Sequence, residues 1–248
     1  MKEMHTFIRS AYMATQAFKS GIAVIINIDE FEPNLHLKQR QGSELDASSL
    51  NQRCQEIGFE TEFCTNLSFK EMKEKFNEVK GSQNLTNADC LLIVVTTYGK
   101  KGRIYAKDHE FDINTVVEEF SSAKCPQLAS KPKIFIFEAS KFEQEKDPNE
   151  CDAMGVSGFE ESDSPDEKKE GPIPDFSEYF VGVNKAKERL IVVKESKRGE
   201  TFSRFLANAF ENVKNGEDIE TLLNRIRQVL SDMVMDGHLE KKLVLKPK

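Results

Sequence analysis

Apolar residues fall in two rhythms along the chain, and the alternation between those rhythms predicts its architecture. Ile22 to Ile28 is short, β-branched and almost wholly apolar, as a strand covered on both faces should be, so a buried central strand is predicted there. Ser43 with Asp46 three residues on reads as a capping box, Leu50, Cys54 and Ile57 recur at helical spacing, and Gly58 supplies a stop; the spacing predicts a helix over about Glu44 to Ile57. An alternating strand follows, Phe59 to Cys64. Ser68 and Glu71 repeat the capping signal ahead of Met72, Phe76 and Val79, for a second helix ending near Lys80. Cys90 to Val95 is another buried strand, Thr96 to Gly102 reads as a turn off its end, and Asp112 to Ser121 places Ile113, Val116, Val117 and Phe120 on one helical face. Lys133 to Phe137 is a further strand.

After a break the pattern resumes. Glu178 to Val183 and Leu190 to Val193 read as strands, and Phe202, Phe205, Leu206, Ala209 and Phe210 mark a helix. Asp218 begins another helix, whose stripe of Ile219, Leu222, Leu223, Ile226, Val229, Leu230 and Met233 is read as core packing, and Lys242 to Leu245 reads as a short last strand. Strand and helix alternating at this spacing imply an α/β fold, a central, mostly parallel sheet of about six strands with helices on both faces. In such sheets chemistry collects at the carboxyl ends of the strands, here Tyr98 to Gly102 and Glu138 to Phe142.

Charge sharpens the break. The 248 residues carry 35 basic and 42 acidic side chains, a formal net charge of −7. Lys141 to Glu170 alone holds eleven acids against four lysines, so the rest of the chain is balanced; that segment, with its prolines, glycines and serines, reads as an acidic surface loop. The acidic balance argues against a nucleic-acid partner. Met1 to Ser20 lacks the apolar core of a secretory signal, and no stretch approaches the ~18 apolar residues that span a bilayer. Five scattered cysteines without a C-x-x-C pair favour a reduced, cytoplasmic protein, and zinc or any other metal is not expected. The phosphate, nucleotide, zinc-protease and serine-hydrolase signatures are all missing from the sequence, and no cofactor is expected. Asp108-His109-Glu110 reads as a charged turn.

One set of landmarks does carry chemistry. Lys131 to Phe142 (K-P-K-I-F-I-F-E-A-S-K-F) resembles the caspase segment in which a strand leads into Q-A-C-[RQG]-G, whose cysteine is the nucleophile. Arg40 to Ala47 is similar to the family's R-x-G-[ST]-[DE]-x-D-A, Thr97 to Gly102 occupies the place of S-H-G-x-x-G, and Ile173-Pro174 followed by Asp175-Phe176 resembles the start of the small subunit. The resemblance covers Gly21 to the C-terminus. It implies a short extension over 1–20 and a single caspase-like domain over 21–248, with a large-subunit-like part (21–140), an acidic loop corresponding to the intersubunit linker (141–171) and a small-subunit-like part (172–248).

The departures from that pattern fall on the site. Ser140 stands where the resemblance places the nucleophilic cysteine, and Tyr98 where it places the general-base histidine. A serine needs an adjacent base, and a tyrosine of ordinary pKa ~10 is mostly protonated at neutral pH. Gly99 persists at the position whose amide helps form the family's oxyanion hole. Ser140 with a repositioned base such as His109 is the route by which hydrolysis could return. The family holds an aspartate carboxylate between two arginines and a glutamine: Arg40 keeps one arginine position, Glu138 replaces the glutamine, and Lys194 falls at the second arginine. Glu138 would repel an incoming aspartate by ~4 kcal/mol at 4 Å and an effective dielectric of 20, or would pair with Lys194 or Arg40 and fill the pocket internally.

These departures imply a catalytically inactive homologue, no enzyme, that regulates apoptosis by binding an active caspase; the alternatives are a hydrolase using Ser140, and a decoy or substrate for caspases or their inhibitors. Glu160 to Ser164 offers Asp163 as a caspase cleavage site. No recruitment module is expected ahead of the first strand. The last residues, Leu243 to Lys248, are expected to stop short of the family's dimer strand and to leave a blunted edge, so that the protein alone is a monomer or weak dimer.

Overall fold

A computed structural model of the chain describes residues 15–100, 102–140, 188–194, 201–213, 216–230, 233–237, 239 and 242–245. The expected strand at Glu178 to Val183, the acidic segment with Asp163, and Cys151 lie outside the described residues. Among the described residues no helix is long and apolar enough to cross a membrane, and no group of three or more His, Cys, Asp or Glu is placed to hold a metal ion.

The main sheet has the strand order β3-β2-β4-β7-β8-β9, formed by β2 (Gly21–Asn27), β3 (Phe59–Thr65), β4 (Leu91–Lys100), β7 (Lys133–Ser140), β8 (Glu188–Lys194) and β9 (Met233–Gly237). All neighbours along that path are parallel except β8 and β9, which are antiparallel. Residue parity sorts the core. Ala23, Ile25, Leu92, Val94, Ile134 and Ile136 face one side, with α1 (Ser43–Glu56), α5 (Phe202–Glu211) and α6 (Ile219–Val229). Ile22, Val24, Ile93, Val95, Phe135 and Phe137 face the other, with α2 (Phe69–Gly81), α3 (Gln83–Asn87) and α4 (Asn114–Glu119). Covered on both sides, the three central strands can be apolar at every position, which is why they read as runs and not as alternations.

The helix starts hold one surprise. The Ser68–Glu71 capping box forms as expected, its serine accepting from the Glu71 amide and its glutamate from the Ser68 amide. The one expected at Ser43 does not. Gly42 is the N-cap, at φ 85°, and Ser43, the first helical residue, donates its hydroxyl to the Arg40 carbonyl; the chain enters α1 through a left-handed turn that only a glycine takes cheaply. Asp218 caps α6 and Thr201 caps α5.

Three further expectations are corrected. Thr96 to Lys100 is not a turn: β4 runs on through it, because β7 pairs with it as far as Tyr98↔Ser140 and because β5 (Arg103–Tyr105) folds back antiparallel on Gly99 and Lys100. β5 then pairs with β6 (Glu110–Asp112), so that Asp108-His109 does sit in a turn. At the other end, Val229 is 58% exposed and Met233 belongs to β9, since α6 stops at Val229 and Leu230 is already extended. The C-terminal strand β10 (Lys242–Val244) is not the sheet's edge either; it pairs in parallel with β1 (Thr15–Ala17), and among the described residues β9 is the last strand on that side.

Candidate functional site

The ends of four parallel strands converge on one place. Asn27 ends β2, Thr96 and Tyr98 lie in the last half of β4, Glu138 and Ser140 close β7, and Lys194 closes β8. By parity, Asn27, Thr96, Tyr98, Glu138 and Ser140 all belong to the α1/α5 side. Tyr98 and Ser140 are direct register partners, as are Thr96 and Glu138. The two positions singled out for a dyad are thus side by side at the carboxyl end of the sheet, where α/β sheets bind ligands. Lys194 takes the register position opposite Ala139, and Val193 the one opposite Glu138.

Arg40 reaches this place from the connection between β2 and α1. Its amide bonds the Asp29 carbonyl, and the Asp29 and Glu30 amides both donate to the Asn66 side chain, which pins the connection to the end of β3. Arg40 is consequently buried, at 7% exposure. Nη1 donates to the Ile28 carbonyl at 2.9 Å and, more weakly, to Thr96 Oγ1 at 3.4 Å and Asn27 Oδ1 at 3.5 Å; Nη2 donates to Ser140 Oγ at 3.4 Å. Thr96 Oγ1 in turn donates to Asn27 Oδ1 at 2.6 Å. The guanidinium also lies 5.8 Å from the centre of the Tyr98 ring, which stacks on Phe31 at 5.2 Å.

Glu138, 3% exposed, turns to the start of α5. Its carboxylate accepts from the Phe202 amide at 2.8 Å, the Ser203 amide at 3.2 Å and the Ser203 hydroxyl at 2.6 Å. This is the place on a helix where an anion is best received, because the first amides have no intrahelical partner. Burial pushes the Glu138 carboxyl above the usual range, while Ser203, the nearby Arg40 charge and the two amides oppose the shift without cancelling it. Beside it, the Thr201 hydroxyl donates to Asp46 of α1 at 2.6 Å. Ser203, Phe31, Asn27 and Thr96 are site residues that sequence reading missed. Their signal is positional: Asn27 ends β2, Thr96 lies in the last half of β4, Ser203 is in the first turn of α5 and Phe31 is in the connection that leaves β2.

The other candidates fall elsewhere or acquire a plainer reason. His109 packs edge-on against Phe69 and lies 3.1 Å from Asp108, whose other oxygen accepts from the Phe69 amide at the start of α2; its described contacts are with these residues. Gly99 sits where a β-carbon would come within 2.8 Å of the Ala139 β-carbon and of the Arg103 carbonyl, so close packing of β4, β5 and β7 requires it. Cys54, Cys64, Cys90 and Cys125 are free, and burial pushes the Cys54 and Cys90 thiols far up. A separate small cleft of about 120 Å³, lined by residues that include Ile22, Glu60, Glu62, Glu78 and Val79, lies toward the opposite end of the sheet. Chemically, the site offers a buried guanidinium, a buried carboxylate and two hydroxyls, Tyr98 and Ser140, on adjacent strands.

Comparisons with known proteins bear on this geometry. Residues 20–243 match the caspase domain family. Caspase-6 of Mus musculus is 34% identical over 130 residues, 52% of this chain and 47% of that protein. Caspase-1 of Spodoptera frugiperda is 36% identical over 120 residues, 48% of this chain and 39% of that protein, and caspase drICE of Drosophila melanogaster is 33% identical over 119 residues, 48% and 34%. The matches thus span half or less of those relatives. A solved structure of pro-Sf-caspase-1 superposes with a TM-score of 0.65 at 22% identity, over 94% of this chain and 96% of that one, and shows the same fold. One expectation is overturned by these findings: a chain whose family is a peptidase domain and whose relatives are named as caspases does not support the reading that it is no enzyme, and that reading is withdrawn. With the family match running through both halves of the sheet, the chain belongs to the caspase domain family.

Proposed function

We propose that this caspase-domain protein acts in apoptosis, in the cytoplasm, by modulating an active caspase through protein–protein contact. The observation that carries the reading is that two charged groups of the site, Arg40 and Glu138, are engaged within the fold. Arg40 is bonded to Ile28, Asn27, Thr96 and Ser140, and Glu138 to the start of α5. A pocket read as Arg40, Glu138 and Lys194 is then poorly suited to take an aspartate side chain, and recognition passes to the surface. Strand β9 supports a heteromer, being last in the strand order among the described residues, where a second chain can extend a sheet by backbone hydrogen bonding. On its own the protein is a monomer or weak dimer, and Asp163 is the point at which a partner caspase cuts it.

The test is titration of the purified full chain into active caspases of the same organism, following peptide cleavage and the mass of the complex together. A changed rate accompanied by a heavier species is expected; unchanged rate and mass with every caspase would end the proposal. A second reading is a hydrolase acting through Ser140. It is favoured by Arg40 Nη2 at 3.4 Å from Ser140 Oγ, because a cation at that oxygen stabilises its ionised form. Hydrolysis that disappears in Ser140→Ala would establish it.

A further inference from the structure

We propose that the open edge of β3 docks an extended peptide strand with lysine or arginine at alternate positions, which pairs with the backbone of Thr61 and Phe63 and sets its cations against Glu60, Glu62 and Glu78. Three features carry this. First, β3 begins the strand order of the main sheet and, among the described residues, pairs with β2 alone. Both backbone groups of a strand residue point to the same side, so alternate residues of an edge strand turn theirs outward. The Asn66 amide bonds the Asn27 carbonyl, whereas the Ile22 amide bonds the Cys90 carbonyl on the other flank of β2. The even-numbered residues of β3 therefore bond β2, and Thr61 and Phe63 present their N–H and C=O groups to the edge.

Second, the side chains along this edge sort by charge. Glu60 and Glu62 share one face by parity and border, with Glu78 and Val79 of α2, the cleft of about 120 Å³. The fold already seats one ammonium there: Lys75 Nζ lies 2.7 Å from Glu78 and 3.4 Å from Glu62. Glu60 accepts from the neutral side chain of Asn84. Three carboxylates thus share one lysine, and further cations are their complement. Third, the opposite face carries Thr61 and the partly buried Phe63, which packs against the core under α1, α5 and α6. The intervening positions of a docked strand meet that face and are best filled by apolar, β-branched side chains.

Charge selects the occupant. Two copies of β3 meeting edge to edge would oppose glutamate to glutamate, which is destabilising, whereas opposite charges at facing positions are favourable. A row of one sign thus guards against self-association and draws in a basic strand. Backbone bonding supplies affinity, and alternate side chains supply the choice of partner. This edge lies across the sheet from β9 and uses none of Arg40, Glu138 or Ser140, so the inference does not rest on the function proposed above.

The test is fluorescence anisotropy of the full-length protein with a labelled, end-capped heptapeptide of alternating lysine and valine. Saturable binding is expected, about tenfold tighter than that of the matching threonine–valine peptide and about tenfold tighter than binding of the same peptide to a Glu60→Gln, Glu62→Gln double variant. Two further peptides carry N-methyl groups, one on every valine and the other on every lysine. In an added strand one set of amides bonds the edge and the other faces solvent, so one methylated peptide is expected to lose binding and the other to keep it. Hydrogen exchange at the Thr61 and Phe63 amides is expected to slow when the parent peptide is added. Equal binding by the threonine–valine peptide, equal behaviour of the two methylated peptides, or protection at β9 in place of β3 overturns the proposal. If the double variant does not fold, the peptide series and the exchange measurement on wild-type protein decide.

Discussion

Gly99 has two neighbours, the Ala139 β-carbon and the Arg103 carbonyl, that would lie 2.8 Å from any β-carbon placed on it. Gly99→Ala is expected to cost about 1–3 kcal/mol, the usual range for overpacking, read as a lowered urea midpoint at unchanged slope. That closeness was not legible in the sequence, where Gly99 stood out through its place in a motif; the reason for a glycine there comes from β5 folding back on β4. Lys80 and Glu119 provide a second test at this scale. Lys80 first, and then Lys124, hold the Glu119 carboxyl below its usual range, against the opposing effect of burial. A depressed folded-state pKa contributes stability above the unfolded value of ~4.3, which is lost as pH falls through the folded one. Lys80→Ala should therefore destabilise at neutral pH by about 1 kcal/mol and make little difference at acid pH, where Glu119 is neutral in both forms, as thermal melts across that range would register.

At the scale of elements, the most reliable signals in the sequence were those whose physics is local. Ser68 and Glu71 form their capping box because both partners lie within one turn, and Ser68→Ala should cost about 1 kcal/mol in an equilibrium unfolding curve. Ser43 and Asp46 have the same spacing but a different outcome, because Gly42 takes the cap position and the Ser43 hydroxyl donates to the Arg40 carbonyl, while Asp46 accepts from Thr201, 155 residues on. That bond binds two helix starts, so Thr201→Ala should cost more than Ser68→Ala, about 1–2 kcal/mol. A double-mutant cycle with Asp46→Asn should show a coupling beyond the ~0.5 kcal/mol of independent sites; additive losses would mean that Thr201 acts on α5 alone. The same reasoning explains the misread boundaries. Tyr98 to Lys100 carry no strand signal of their own and are held extended by partners on β7 and β5, and Met233 follows the helical period yet pairs with Val193. Glu138 was legible as an odd residue for its place, whereas Ser203, which satisfies it, lies 65 residues away with nothing in its neighbourhood to announce a buried carboxylate.

For the whole molecule, the two faces of the sheet differ in where they come from along the chain. Among the described residues, the core under α2, α3 and α4 is built from those between Ile22 and Ala139. The core under α1, α5 and α6 needs both ends of the chain, with Phe202, Leu206, Phe210, Leu222, Leu223 and Ile226 packed against residues such as Ala47, Leu50, Leu92 and Ile136. Those six side chains alone, at roughly 1.5–3 kcal/mol each, contribute on the order of 9–18 kcal/mol, comparable to the estimated 4–15 kcal/mol cost of holding two separate pieces together. The seven register pairs between β7 and β8, and the pairing of β1 with β10, come in addition. A cut between the pieces should therefore not release them. Incubation with an active caspase is expected to sever the chain after Asp163, Asp163→Ala should resist, and the products should co-elute in gel filtration and separate only in denaturant. Fragments that part under native conditions would show that the face shared by the two pieces is weaker than its burial implies. Products that stay together in wild type but fall apart when Glu138 is also replaced by alanine would place the decisive share of that face at the bonds from the start of α5 to the Glu138 carboxylate on β7.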